Sequence, residues 1–331
     1  MQKFFFFICV FVSFLLTIQS YAAVITVDAN HPSAGMYKNL QDAHDAANSG
    51  DTILVYPFAG SYSAIDVTKK LKIVGRGWCH EPVSNIATTI SGRMQFLFGS
   101  GGSSLEGFRC NFHVNINANN VMIKRNDLDK ITIQQNHTGT IIIQNNFYAN
   151  INESLIDVDN NNDVFIANNI VVNLTTYNDR YTWGITASSN SITLDIIYNV
   201  IYMKGDHYGL YLSGSNYYVA NNIIVQGRIS PKTSLGFQNN ICNSSQLEAS
   251  NFNQVNVDMN TVFVDWYKLK KDSPAIGAGT NGSDIGIYGG STPFVLCGYP
   301  SIPRIVNIEA DHLGTKSHGL DVKIKATTVR E

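Results

Sequence analysis

Six stretches of this chain share one form, apolar-x-apolar-x-x-Asn: Val121 to Asn126, Ile141 to Asn146, Val164 to Asn169, Leu194 to Asn199, Tyr217 to Asn222 and Leu235 to Asn240. The asparagines are separated by 20, 23, 30, 23 and 18 positions. Self-similarity at a period near 20, with one insertion, marks a solenoid. Two apolar residues two apart project to one side of a strand, so each stretch reads as a strand with its apolar side inward and a turn at the Asn. In stacked coils equivalent residues lie ~4.8 Å apart. Each side-chain amide then donates to one neighbour and accepts from the other, which satisfies buried turn groups. The reading is an all-β, right-handed parallel β-helix with Asn126, Asn146, Asn169, Asn199, Asn222 and Asn240 as its ladder. A disordered Asn-rich tract would not place Ile, Val and Tyr so regularly before each Asn, and propeller blades run to ~40 residues.

The segments on either side complete this plan. Lys3 precedes an apolar stretch from Phe4 to Ile18, and Ser20-Tyr21-Ala22 has the small-x-small form that signal peptidase reads. The stretch is shorter than the ~20 residues of a membrane-spanning helix. Residues 1–22 are therefore expected to be a signal peptide, with no transmembrane segment once it is removed and a secreted, periplasmic or cell-surface destination. Residues 23–290 are expected to form the β-helix. Asn39 precedes a helical spacing of Leu40, Ala43 and Ala47, and Asn48-Ser49-Gly50 stops it. A helix near 39–48 would cover the open edge of the first coil. Leu71 to Gly75 and Leu105 to Cys110 carry the strand pattern without the Asn and read as early, less regular coils. From 291 to 331 the chain reads as a linker, rich in proline at 293, 300 and 303, followed by a short β-rich tail.

With 44% hydrophobic and 15% charged residues and a net charge of -2, nothing supplies the basic footprint that nucleic acid requires. Cys79, Cys110, Cys242 and Cys297 remain after the leader, enough for up to two disulfides in three possible pairings, and the spacing does not choose among them. No pair has the CxxC form of a zinc or redox site.

Taken together, Tyr37-Lys38-Asn39-Leu40-Gln41-Asp42-Ala43, Gly50-Asp51-Thr52-Ile53-Leu54-Val55, Asp272-Ser273-Pro274-Ala275-Ile276-Gly277 and Asp284-Ile285-Gly286-Ile287-Tyr288-Gly289-Gly290 resemble the opening and closing motifs of the pectin-lyase-like superfamily, especially its exported bacterial members. The resemblance spans residues 24–296 and speaks to the fold much more than to the reaction. It implies action on, or association with, a polysaccharide. The three clustered aspartates, Gly-His-Gly and Arg-Ile-Lys of its hydrolases have no counterpart in this chain. Its lyases instead neutralise a uronate with calcium or a basic side chain while Arg or Lys removes a proton.

The residue types for such chemistry gather around the longest step of the repeat. Arg180, Lys204 and His207 are the catalytic candidates. Tyr181, Trp183 and Tyr208 are candidates for stacking on sugar rings, and Asp157 and Asp159, both pointing out of one strand, are candidate calcium ligands. No cofactor is required on this reading beyond that possible calcium. The expected function is glycan binding by a monomeric exported protein, with a polysaccharide or cell-surface glycan as partner. A lyase acting on an acidic polysaccharide and a non-catalytic structural or adhesive module are the alternatives, since a fold alone does not make an enzyme.

Overall fold

The computed structural model describes residues 22–31, 36–79, 87–160, 163–176, 182–188, 193–214, 216–231, 236–265, 267–311 and 319–328. Residues 1–21 of the expected leader lie outside this set, as do Arg180, Tyr181 and Leu235.

The chain forms a parallel β-helix. One sheet of 11 strands runs the length of the molecule and constitutes its first face. A 15-stranded sheet forms the rest and divides along its length. The division occurs at the long strand Asp127–Ile133. Its start pairs in parallel with Asn146–Ala149 and its end with Ile156–Val158. Beyond it a second face continues through Ile170–Asn173, Val200–Met203, Ile223–Val225 and Ile241–Cys242. A third continues through Trp183–Ala187, Tyr208–Leu212 and Arg228–Ser230.

Registered stacking creates the core. Ile142, Ile166, Ile196 and Val219 form one interior column on the first face. Phe147, Val171, Ile201 and Ile224 form another on the second, and Ile156, Ile185, Leu210 and Ile229 a third. All are buried in a single cluster, each side chain contributing about 1.5–3 kcal/mol relative to exposure. The helix Leu40–Ala46 adds Leu40 and Ala43 to this cluster. Asn39 caps it by accepting from the Asp42 N–H, and Lys69 Nζ donates to the carbonyls of His44, Asp45 and Ala47 at its other end.

The ladder lies at the turn between the first and second faces. Each rung's Oδ1 accepts from both the backbone N–H and the side-chain amide of the preceding rung, at 2.8–3.2 Å, in the order Asn126, Asn145, Asn169, Asn199, Asn222, Asn240 and Asn253. Each Nδ2 also donates to a strand carbonyl, as Asn169 does to Ile142 and Asn199 to Ile166. The second rung is Asn145 and not the expected Asn146. The run Ile141-Ile142-Ile143 fits the repeat in two registers. The register in use aligns Ile142 with Ile123 and Ile166, leaving buried Thr140 in the first apolar place. Asn146 starts the next strand and donates to Asp127 Oδ1 at 2.7 Å. Asn253 is a seventh rung that lacks the preceding apolar pair.

The residue before each rung has positive φ: Arg125, Gln144, Asn168, Tyr198, Asn221, Asn239 and Phe252. This left-handed turn sends the Asn inward and its predecessor outward, where most of the predecessors grip a strap formed by the C-terminal segment. Asn239 donates to the Ala278 carbonyl, Asn221 to Thr280 Oγ1, and Tyr198 meets Ser283. Asn168 donates to the carbonyls of Ile287 and Gly289, Gln144 to Pro293, and Arg125 to Tyr299. The strap thus runs back along the coils in the opposite direction to their stacking. It ends in the disulfide Cys79–Cys297, and Cys110 and Cys242 are buried free thiols. Residues 291–301, expected to be linker, belong to this strap.

The strap buries the second face. Outward-pointing Ile170, Val172, Val200, Ile223 and Ile241 join Val262, Ala275, Ile285, Ile287 and Phe294 in a second apolar cluster. Strands covered on both sides are apolar without alternation, as Ile170-Val171-Val172 and Ile223-Ile224-Val225 are. Beyond the strap Arg304–Ala310 and Val322–Thr327 pair antiparallel as the expected β-rich tail.

Two stability predictions follow from these contacts. Asn145→Ala orphans the Asn126 N–H inside the turn and is expected to cost about 2–4 kcal/mol in denaturant unfolding, against under ~1 kcal/mol for Asn146→Ala. Equal losses would remove the rung assignment. Cys79→Ser opens a closure across 218 positions and is expected to cost about 2–5 kcal/mol, with chymotrypsin cleavage appearing first within 288–299. Unchanged stability and proteolysis would mean that the strap holds without its terminal staple.

Candidate functional site

With the second face covered, the third carries a concentration of aromatic and charged groups. Register produces it. Trp183 stands beside Tyr208 and Tyr208 beside Arg228 in one outward column, while Asp157, Thr186, Tyr211 and Ser230 form the next. Gly184 and Gly209 follow Trp183 and Tyr208 along their strands. A Cβ on Gly184 would fall 2.6 Å from the Gly209 carbonyl oxygen and 3.3 Å from Ile201, so the corner between the second and third faces closes because Gly184 carries no side chain.

The rings form one assembly. Trp183 and Tyr211 stack at 4.9 Å between centroids and 7° between planes, and Tyr208 meets Tyr211 edge-on at 5.2 Å. Such pairs are worth ~0.5–1.5 kcal/mol beyond their burial. The Arg228 guanidinium lies 5.6 Å from the Tyr208 centroid and pairs with Asp206. Beside this assembly opens a groove of about 470 Å³ lined by Asp206, Tyr208, Gln226, Arg228, Ile229, Ser230, Ser244, Ser245 and Gln246. Its far wall is fixed: Gln246 accepts from the Ser244 N–H at 2.8 Å and donates to Asn243 at 3.0 Å, and Asn243 accepts from the Gln226 N–H at 2.8 Å.

The sequence candidates divide among several places. Trp183 and Tyr208 belong to the ring assembly, and Arg180 and Tyr181 lie outside the described residues. Lys204 is exposed and does not line the groove. His207 sits between the groove residues Asp206 and Tyr208, yet its side chain turns inward and is 4% exposed, with Nε2 lacking a hydrogen-bond partner. Its backbone carbonyl accepts from the Arg228 N–H. The three catalytic candidates are therefore not shown converging on one point. Tyr211, Arg228, Gln226 and Asp206 were not singled out from sequence. The recurring aromatic-Gly-apolar triplets Trp183-Gly184-Ile185 and Tyr208-Gly209-Leu210 are the signal that would have aligned them.

Farther along the third face Asp157 points outward between buried Ile156 and Val158, as expected. Asp159 accepts from the Asn160 N–H at 2.8 Å and from Ser188 Oγ at 3.4 Å. Burial raises the Asp157 carboxyl above the ordinary carboxylate range; Lys130 opposes this, and Asp159 and Glu153 add to it. Lys130 is bound to Glu153 at 2.7 Å. Burial likewise pushes the nearby half-buried His113 below the usual imidazole range. Among the described residues no group of three or more His, Cys, Asp or Glu side chains converges as a metal site. Lys124 and Arg125, basic neighbours of the first rung, face buried Glu106 under the strap.

No protein-family model matches this chain, and no curated protein matches it. Among solved structures it is similar to pectate lyase Pel9A, at 14% identity with a TM-score of 0.46, over 81% of this chain and 96% of that one. The parallel-coil architecture described above rests on strand register, and the likeness assigns no role to any residue.

Asp157 yields a pH prediction. Its folded state favours the protonated carboxyl, so ionisation opposes folding, and this loss develops as pH rises from the unfolded value near 3.8 through the raised folded value. Asp157→Asn is expected to be more stable than the parent at pH 7 in calcium-free buffer, the gap closing by about pH 3. A variant less stable at pH 7 would show that the charge has a favourable partner.

Proposed function

We propose that this chain is an exported, non-catalytic glycan-binding β-helix protein whose third face is the binding surface. The observation that carries this reading is the assembly of Trp183, Tyr208 and Tyr211 beside a polar groove. Aromatic rings flanked by convergent hydroxyl, amide and charged groups suit the apolar ring faces and polar rims of sugars. Calcium held by Asp157 and Asp159 remains an optional addition to this surface.

Support for export comes from the leader-like N-terminal sequence and from the Cys79–Cys297 disulfide, a bond that persists in oxidising compartments. No helix among the described residues is long and apolar enough to cross a membrane. Binding is favoured over catalysis because, among the described residues, His207 and Lys204 do not line the groove and Arg228, which does, is paired with Asp206, whereas lyase chemistry needs a free, positioned base.

The test is affinity electrophoresis through gels containing soluble polysaccharides, with polyuronate cleavage followed in parallel through the absorbance of its unsaturated product. The parent is expected to be retarded by at least one polysaccharide and to leave polyuronate intact. Trp183→Ala and Tyr211→Ala should weaken binding about tenfold, the equivalent of about 1.4 kcal/mol, and Lys204→Ala should not. Cleavage that Lys204→Ala abolishes would overturn the non-catalytic reading, and no retardation of the folded protein by any polysaccharide would overturn the glycan reading.

A further inference from the structure

We infer that the groove beside Tyr208 selects a neutral, hydroxyl-rich sugar and rejects uronates, an inference that rests on the glycan reading of the third face and narrows it.

The argument is one of charge and hydrogen-bond type. Among the described residues the lining holds one acid, Asp206, and one base, Arg228, and these neutralise each other as an ion pair. Both side chains remain accessible, at 67% and 47%, so the pair forms part of the rim. Tyr208 lies under the Arg228 guanidinium, whose N–H donors stand beside the carboxylate acceptors of Asp206. Neighbouring sugar hydroxyls, each a donor and an acceptor, match such an edge on both sides. The remaining polar walls, Gln226, Ser230, Ser244, Ser245 and Gln246, also donate and accept without charge.

A carboxylate ligand would fare differently. It would have to displace Asp206 from Arg228 and leave that acid beside the incoming one. Its chain would then run along a face on which, among the described residues, Glu153, Asp157 and Asp159 outnumber Arg93 and Lys130, the latter itself bound to Glu153. Like charges at such spacing disfavour binding. The groove is also of the size that takes a small ligand or the end of a chain, within the ~300–1,000 Å³ of ordinary ligand sites.

The experiment is titration calorimetry of the intact protein with neutral oligosaccharides (gluco-, galacto-, manno- and xylo-) and with oligogalacturonate and oligoalginate, at low and high salt. Neutral binding that is insensitive to salt is expected for at least one series, with at least tenfold weaker binding in Asp206→Ala and in Arg228→Ala. Asp206→Ala, by freeing the guanidinium, should also gain salt-sensitive affinity for uronates. If a variant fails to fold, Asp206→Asn carries the same test with the shape retained. Uronate binding by the parent that salt weakens would overturn this inference while leaving the glycan reading intact. Neutral binding untouched by either substitution would overturn it as well, and absence of all binding by the folded protein would end both.

Discussion

The amide ladder is the interaction on which the rest of this molecule depends. A coil of the solenoid must turn between its first and second faces with backbone N–H groups pointing into a dry interior, and an unpaired buried donor costs ~1–3 kcal/mol. Asn145 shows how the cost is met: its Oδ1 accepts from the Asn126 N–H, and its own N–H donates in turn to Asn169 Oδ1. Because each rung needs the next at hydrogen-bond distance, the ladder fixes the register of successive coils. A slip of one residue would turn every interior side chain outward.

Register then determines what the outside can do. The positive-φ residue before each of the first six rungs presents its side chain to the strap, so the turn that satisfies the interior also closes the second face. Arg125, Gln144, Asn168, Tyr198, Asn221 and Asn239 share this place without sharing a residue type. On the third face the same register brings Trp183, Tyr208, Tyr211 and Arg228 together from three strands. The candidate site is thus a consequence of coil alignment, and its chemistry is decided by which residues fall in adjacent columns.

The fold was legible because its governing signal is local and periodic: an apolar pair and an Asn at fixed spacing need no knowledge of the partner coil. Legibility ended where partners decide. The run Ile141-Ile142-Ile143 admits two registers, and only the alignment of Ile142 with Ile123 and Ile166 selects Asn145 over Asn146. The strap is not legible because its contacts come from dissimilar side chains 39 to 174 positions away, as from Asn168 to Ile287. At the site, Trp183 and Tyr208 were visible as aromatics near a long insertion. Tyr211 and Arg228 were not, since their meaning lies in facing those rings across neighbouring strands. His207 is a titratable group beside the aromatic residues, and its burial is decided by what packs on it, which composition does not reveal.

Hydrogen exchange of the intact protein, resolved to individual amides, tests the ladder most directly. The slowest set is expected to contain the backbone N–H groups of Asn126, Asn145, Asn169, Asn199, Asn222 and Asn240, each donated to the next rung, with protection continuous from coil to coil. Amides in the exposed turn at Phe98 and Gly99 should exchange many orders of magnitude faster. Ladder amides exchanging as fast as that turn, or protection broken at Asn145, would contradict the claim that this column of asparagines holds the coils in register.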